Sequence, residues 1–138
     1  MLVRMKPLES EDHRVVAAIL RREGRVLLCH RSPDREWYPD TWDLPGGHVD
    51  VGERPQDALS REMHEELGIA VVASSEPIAH VQGDDFLNTI WLIDVWTGEP
   101  VNLALREHDA LGWFSAEEIR DLDLADPRMI ALLDGVLA

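Results

Sequence analysis

Glu62, Glu65 and Glu66 fall close together in a stretch where Leu59, Met63 and Leu67 recur at every fourth position. That apolar recurrence is the period of an amphipathic helix. At 100° per residue the apolar side chains cover an arc of about 80°, and the glutamates fill an adjoining arc of about 100°. A solvated acidic face is the ordinary meaning of such a pattern, because like-charge neighbours at helical spacing cost only about 0.2–0.5 kcal/mol per pair. The loop ahead of the helix changes the reading. Leu44-Pro45-Gly46-Gly47 is a chain-breaking cluster after an apolar strand, and its glycines allow a backbone carbonyl to approach a ligand closely. Clustered carboxylates with a carbonyl make a hard-oxygen donor set, suited to Mg²⁺ or Mn²⁺ rather than to zinc, which prefers Cys and His. A hard cation on carboxylates points to phosphate chemistry. Mg²⁺ keeps several waters, binds one or two carboxylates and shares its substrate's phosphates. It lowers the pKa of a bound water and neutralises charge developing on phosphoryl oxygens. Without a cation, the acidic stripe would repel a polyphosphate.

The elements that must position these groups follow from the flanking residues. Pro55 suits the first turn of a helix and Gly68 the left-handed position just past its end, so the spacing predicts a helix over 55–67. Before it, His13–Leu20 and Arg25–His30 are apolar, β-branched runs joined by a hairpin signal at Arg21-Arg22-Glu23-Gly24. Residues 31–40 are a charged, proline-flanked loop, and Thr41–Leu44 is a short strand leading into a turn at Gly46-Gly47. After the helix, strands are expected at Ala70–Ala73, Pro77–Gln82 and, most strongly, Asn88–Trp96, with a turn at Gly83-Asp84-Asp85 and a break at Gly98-Glu99-Pro100. Leu111–Phe114 is a further short strand. Ser115-Ala116-Glu117-Glu118 is a capping box that opens a helix, and Asp126-Pro127 starts a last helix over 128–137, with Asp126 as N-cap. Residues 1–12 read as a polar lead-in. Mixed strands with interspersed helices make an α/β (α+β) sandwich by layer logic.

Length and charge set the outer bounds. The 138 residues fit a single domain spanning 1–138. The formal net charge of −14 argues against polymeric nucleic acid, which needs a basic footprint. It leaves room for single nucleotides held through metal. Cys29, the one cysteine, lies in the apolar run Val26-Leu27-Leu28-Cys29 and is expected as a buried thiol rather than a nucleophile. The N-terminal residues carry charges where a signal would be apolar, and no apolar run approaches a membrane span. The expectation is a cytoplasmic protein without a membrane partner, as a monomer or homodimer.

From Gly47 to Ile69 the chain reads GHVDVGERPQDALSREMHEELGI. Gly47, Glu53, Arg61, Glu62, Glu65, Glu66 and Gly68 fall at fixed offsets, with apolar Met63 and Ile69. At residue frequencies of roughly 6% each, such a coincidence has odds on the order of 10⁻⁹ per starting position. The stretch resembles the complete Nudix box, with no departure at any specified position. The resemblance implies the Nudix α/β/α sandwich with a mixed sheet, and a loop–helix–loop whose glutamates bind divalent metal. By position, Glu65, Glu66 and the carbonyl of Gly46 are metal ligands. Glu62 is either a further ligand or the base that orients the attacking water. Glu53 and Arg61 match the pair that braces the loop against the helix.

Outside the box the resemblance is to MutT-like members. Arg106-Glu107-His108, ahead of Trp113-Phe114-Ser115, matches a pattern in which a loop glutamate reaches the metal, making Glu107 a catalytic candidate; a solvated loop charge is the alternative. Arg31 ends a strand where those proteins place an arginine near the substrate phosphates, or it is a surface salt-bridge partner. Trp42, in the sequence WDLPGG, is expected chiefly in the core; as base contacts, Trp42 and Phe86 are alternative stacking surfaces. The purine-reading Asn or Asp of MutT-like proteins falls at Ala125-Asp126, where no Asn is present and Asp126 already serves as N-cap. The implied activity is Mg²⁺-dependent hydrolysis of a nucleoside triphosphate, oxidised dGTP among the candidates, to monophosphate and pyrophosphate by metal-activated water, with Mn²⁺ as a substitute cation. The alternative is another nucleoside diphosphate linked to X, such as ADP-ribose or a nucleotide sugar. The proline familiar in ADP-ribose hydrolases is replaced by Gly83-Asp84-Asp85-Phe86, which weighs against that branch. A sensing module that does not cleave is disfavoured because every box glutamate is present.

Overall fold

The computed structural model describes residues 13–138, so the lead-in over 1–12 lies outside the described residues. Among the described residues, seven strands form one mixed sheet, ordered β3-β2-β1-β6-β5, with β4 paired to β1 and β7 to β2. In chain order these are β1 (Arg14–Arg22), β2 (Arg25–Arg31), β3 (Trp42–Asp43), β4 (Gly46–His48), β5 (Ala79–Gln82), β6 (Leu87–Ile93) and β7 (His108–Phe114). Three helices, α1 (Pro55–Leu67), α2 (Ala116–Ile119) and α3 (Met129–Leu137), complete the fold. The β1–β6 pair is parallel and the others are antiparallel. β1 is buried on both faces. Val16, Ala18 and Leu20 pack with Leu59, Met63 and Leu67 of α1, whereas Ala17 and Ile19 pack with Ile119 of α2 and Met129 and Leu133 of α3. Alternation along one strand therefore sets a helix on each side of the sheet, which gives the α/β/α layering.

Several boundaries differ from the sequence expectation. β1 runs on to Arg22 because the hairpin needs only Glu23 and Gly24, at φ of 53° and 75°, the paired left-handed residues of a two-residue turn. Gly46-Gly47 is a strand rather than a turn. Val15, Val16 and Ala17 oppose His48, Gly47 and Gly46, and a Cβ on Gly46 would stand 2.0 Å from the carbonyl oxygen of Val16. Ala70–Ala73 forms only an isolated bridge, Ala70 to Thr97. β6 stops at Ile93, short of Trp96, and β7 starts three residues earlier than expected, at His108. The last helix begins at Met129, not Arg128. Asp126 does not act as its N-cap; its carboxylate accepts from the backbone N–H of Arg128 at 3.0 Å, while Met129 N–H donates to the Asp126 carbonyl, a tighter turn ahead of the helix. Pro55 opens α1, and Gly68 closes it at φ 69° with its N–H on the His64 carbonyl. The Ser115–Glu118 capping box has both reciprocal bonds.

Candidate active site

Two elements bring the carboxylates together. α1 projects Glu62 and Glu66 toward β4, and the loop ahead of β7 brings Glu107 across from them, all lining a cavity of about 280 Å³ with Gly46, Gly47 and Arg31. The glycines make the space. A Cβ on Gly47 would lie 2.3 Å from the carboxyl carbon of Glu62, so that strand passes directly over the glutamate. The loop ahead of β7 is lashed to the end of α1: Val101 N–H donates to the Leu67 carbonyl at 3.0 Å and Leu103 N–H to that of Glu66 at 2.8 Å. These bonds satisfy helix carbonyls that would otherwise lack partners, and they set the position of Glu107. Asn102 closes the same loop, donating to the His108 carbonyl and accepting from Ala104 N–H.

Arg61 bridges helix and preceding loop. It donates to both oxygens of Glu53 at 2.9 and 3.0 Å, to the His48 carbonyl at 2.9 Å and to Glu62 at 2.8 Å. Glu53 also accepts from Asp50 N–H. The Arg61 guanidinium holds the Glu53 carboxyl below its ordinary range. Glu65 stands on the exposed side of the helix, with one oxygen 3.3 Å from Arg61, and borders a second, open cavity of about 490 Å³ that also reaches Glu62, Glu66 and Glu107.

Glu66 is 6% exposed, and its Oε1 is buried without a hydrogen-bond partner. Burial, reinforced by the charges of Glu62 and Glu107, pushes its carboxyl up to about 9. Burial also raises Glu62. Clustered carboxylates that resist ionisation in a part-buried pocket are a donor set short of a positive charge. A divalent cation supplies it, so the residues fit the metal that the acidic helix suggests. One oxygen each of Glu66 and Glu107 and a ring nitrogen of His108 lie within 4.8 Å of one another. His108 is 5% exposed, its Nδ1 has no partner, and burial lowers its pKa, keeping it neutral.

The other expected contacts separate. Arg31 lines the carboxylate cavity and donates to the carbonyls of Trp37 and Tyr38, which tie down the loop over 32–41; burial lowers its pKa, with Arg35 adding repulsion. Trp42 packs into the core on the α3 side, edge-on to Phe114 with ring centroids 4.9 Å apart. It is not among the residues lining the carboxylate cavity. Phe86 and Asp126 do come together, in a neighbouring cavity of about 310 Å³ with Tyr38, Asp43, Asn88 and Arg128. Asp126 is held there by the Arg128 guanidinium at 2.7 Å. Asn88 and Asp43 line both cavities and join them; the Asn88 Oδ1 is buried without a partner, and burial raises Asp43 to about 6. Asn88, Asp43, Arg35 and His108 were not among the expected site residues. Only His108 had a sequence signal, its adjacency to Glu107. Cys29 is fully buried in the sheet, and burial raises its thiol well above the ordinary range.

Known proteins resemble this chain in sequence and in fold. The NUDIX domain model matches residues 11–133. The chain is 36% identical over 127 residues to CTP pyrophosphohydrolase of Escherichia coli K12, covering 90% of each chain. It is 31% identical over 137 residues to nucleoside triphosphatase NudI of Klebsiella pneumoniae, covering 89% of this chain and 96% of that one. Among solved structures, a MutT NUDIX hydrolase from Burkholderia pseudomallei superposes with a TM-score of 0.76 at 30% identity, covering 88% of this chain and 96% of that one.

Proposed function

The chain belongs to the NUDIX family, and from that premise we propose that it hydrolyses a nucleoside triphosphate to the monophosphate and pyrophosphate with Mg²⁺ bound at Glu65, Glu66 and the Gly46 carbonyl. The observation that carries the reading is the buried, partnerless Glu66 oxygen beside Glu62 and Glu107. When bound, the cation neutralises phosphate charge and acidifies water. The chain's own residues do the rest. Arg31 and Arg35, which line the same cavity as the carboxylates, hold the polyphosphate. Glu62, whose proton affinity is raised by burial, takes a proton from the attacking water, a role suited to a base poised nearer neutrality. The water oxygen bonds to phosphorus as the anhydride P–O bond breaks, and pyrophosphate leaves with the electron pair. The base and sugar lie in the adjoining cavity of Phe86, Asn88 and Asp126. The similarity to a CTP pyrophosphohydrolase and to a nucleoside triphosphatase supports a nucleoside triphosphate over ADP-ribose.

The test is a panel of CTP, dCTP, dGTP, oxidised dGTP and ADP-ribose, with pyrophosphate and phosphate quantified separately. The expected result is pyrophosphate from triphosphates and slow turnover of ADP-ribose. Because Asp126 is engaged by Arg128, discrimination between oxidised and normal dGTP should be shallow; a preference above about a thousandfold would require a base-reading group other than these residues.

A further inference from the structure

We propose that His108 is a nitrogen donor, beside Glu107, to the divalent cation held by Glu66. The inference rests on the reading that Glu66 binds metal, and it adds a ligand of a different chemical kind. A ring nitrogen of His108 and one oxygen of each glutamate lie within 4.8 Å of one another. Metal–ligand bonds of about 2.1 Å put adjacent donors of one ion about 3 Å apart and opposite donors about 4.2 Å apart, so side-chain shifts of up to about 1–2 Å close all three on one ion. Glu66 Oε1 and His108 Nδ1 are both buried without partners, and side chains so buried are normally hydrogen-bonded. They come from different elements, α1 and the first residue of β7, and converge on the same cluster. The backbone sets that convergence. His108 N–H donates to the Ala104 carbonyl, Asn102 holds the His108 carbonyl at 2.7 Å, and Leu103 N–H ties the loop to the Glu66 carbonyl. An imidazole donor strengthens binding of Mn²⁺ or Co²⁺ more than that of Mg²⁺, which favours all-oxygen sites. The site therefore has a metal preference tilted away from Mg²⁺ by one residue.

Pulsed EPR on the full chain loaded with Mn²⁺ tests this without reference to turnover. The wild-type protein should show modulation from a directly bound ¹⁴N, replaced by a ¹⁵N pattern when histidine alone is labelled with ¹⁵N. The signal should survive His48→Gln, which removes the other histidine lining the carboxylate cavity, and vanish in His108→Gln while Mn²⁺ remains bound. In titrations, the ratio of Mn²⁺ to Mg²⁺ affinity should fall by about tenfold in His108→Gln. Bound Mn²⁺ without nitrogen modulation in the wild type overturns the proposal, with no variant needed. Modulation that persists in His108→Gln also overturns it. Nucleoside triphosphate hydrolysis without nitrogen modulation removes this inference and leaves the proposed function standing. Nitrogen modulation without hydrolysis does the reverse, and failure to bind Mn²⁺ removes both.

Discussion

Glu66 is a carboxylate placed where ionisation is costly, and that cost makes its role measurable. Its carboxyl, ordinarily near 4.5, is raised to about 9 by burial and by Glu62 and Glu107. A raised folded-state pKa means the folded protein holds a proton that the unfolded chain releases between those values. The corresponding stability is present below about pH 4.5 and is lost as pH rises toward 9. In chelator, then, the melting temperature should fall between pH 6 and pH 8.5. Glu66→Gln should flatten that slope and stabilise the metal-free protein at pH 8 by about 1–3 kcal/mol. The same variant should lose roughly 10²–10⁴ in turnover, equivalent to about 3–5 kcal/mol of transition-state stabilisation. Near-normal activity in Glu66→Gln would show that the metal is held elsewhere.

The strand Gly46–His48 and the helix Pro55–Leu67 act as one device, and the two adjacent glycines separate its structural and chemical demands. A Cβ on Gly46 meets the backbone of β1, whereas one on Gly47 meets the movable end of the Glu62 side chain. Gly46→Ala should therefore cost about 2–4 kcal/mol in urea unfolding. Gly47→Ala should cost under about 1 kcal/mol in stability yet reduce kcat at least about tenfold, by displacing Glu62. Equal losses of stability in the two variants would contradict this division. The helix bounds were legible because Pro55 and Gly68 are local punctuation. β4 was not, because Gly-Gly signals a breaker locally and becomes a strand only where another backbone must approach closely. Ala70–Ala73 erred the other way: its apolar composition supports burial of Val71, but only Ala70 finds a strand partner.

Across the whole molecule, candidate site residues were legible where a motif carries them and hidden where none does. Glu53, Arg61, Glu62, Glu65 and Glu66 lie within one loop and helix, where resemblance to the Nudix box draws them out together, and resemblance to MutT-like members adds Arg31 and Glu107 from other elements. Arg35, Asp43, Asn88 and His108 come from separate loops and strands, and only the sheet order brings them to the same cavities. With 27 acidic and 13 basic residues, the molecule as a whole repels a polyphosphate, so the proposed function calls for a counter-charge. Mn²⁺ or Mg²⁺ at a hundred times its dissociation constant should raise stability by about 2.7 kcal/mol, and this gain should disappear in Glu66→Gln. No helix among the described residues is long and apolar enough to cross a membrane. The most direct test of the central claim is product analysis of CTP incubated with the full chain, in Mg²⁺ and in excess chelator, with CMP, CDP, pyrophosphate and phosphate each quantified. Equal amounts of CMP and pyrophosphate are expected with Mg²⁺, and none in chelator. CDP and phosphate as the products, or undiminished turnover in chelator, would contradict that claim.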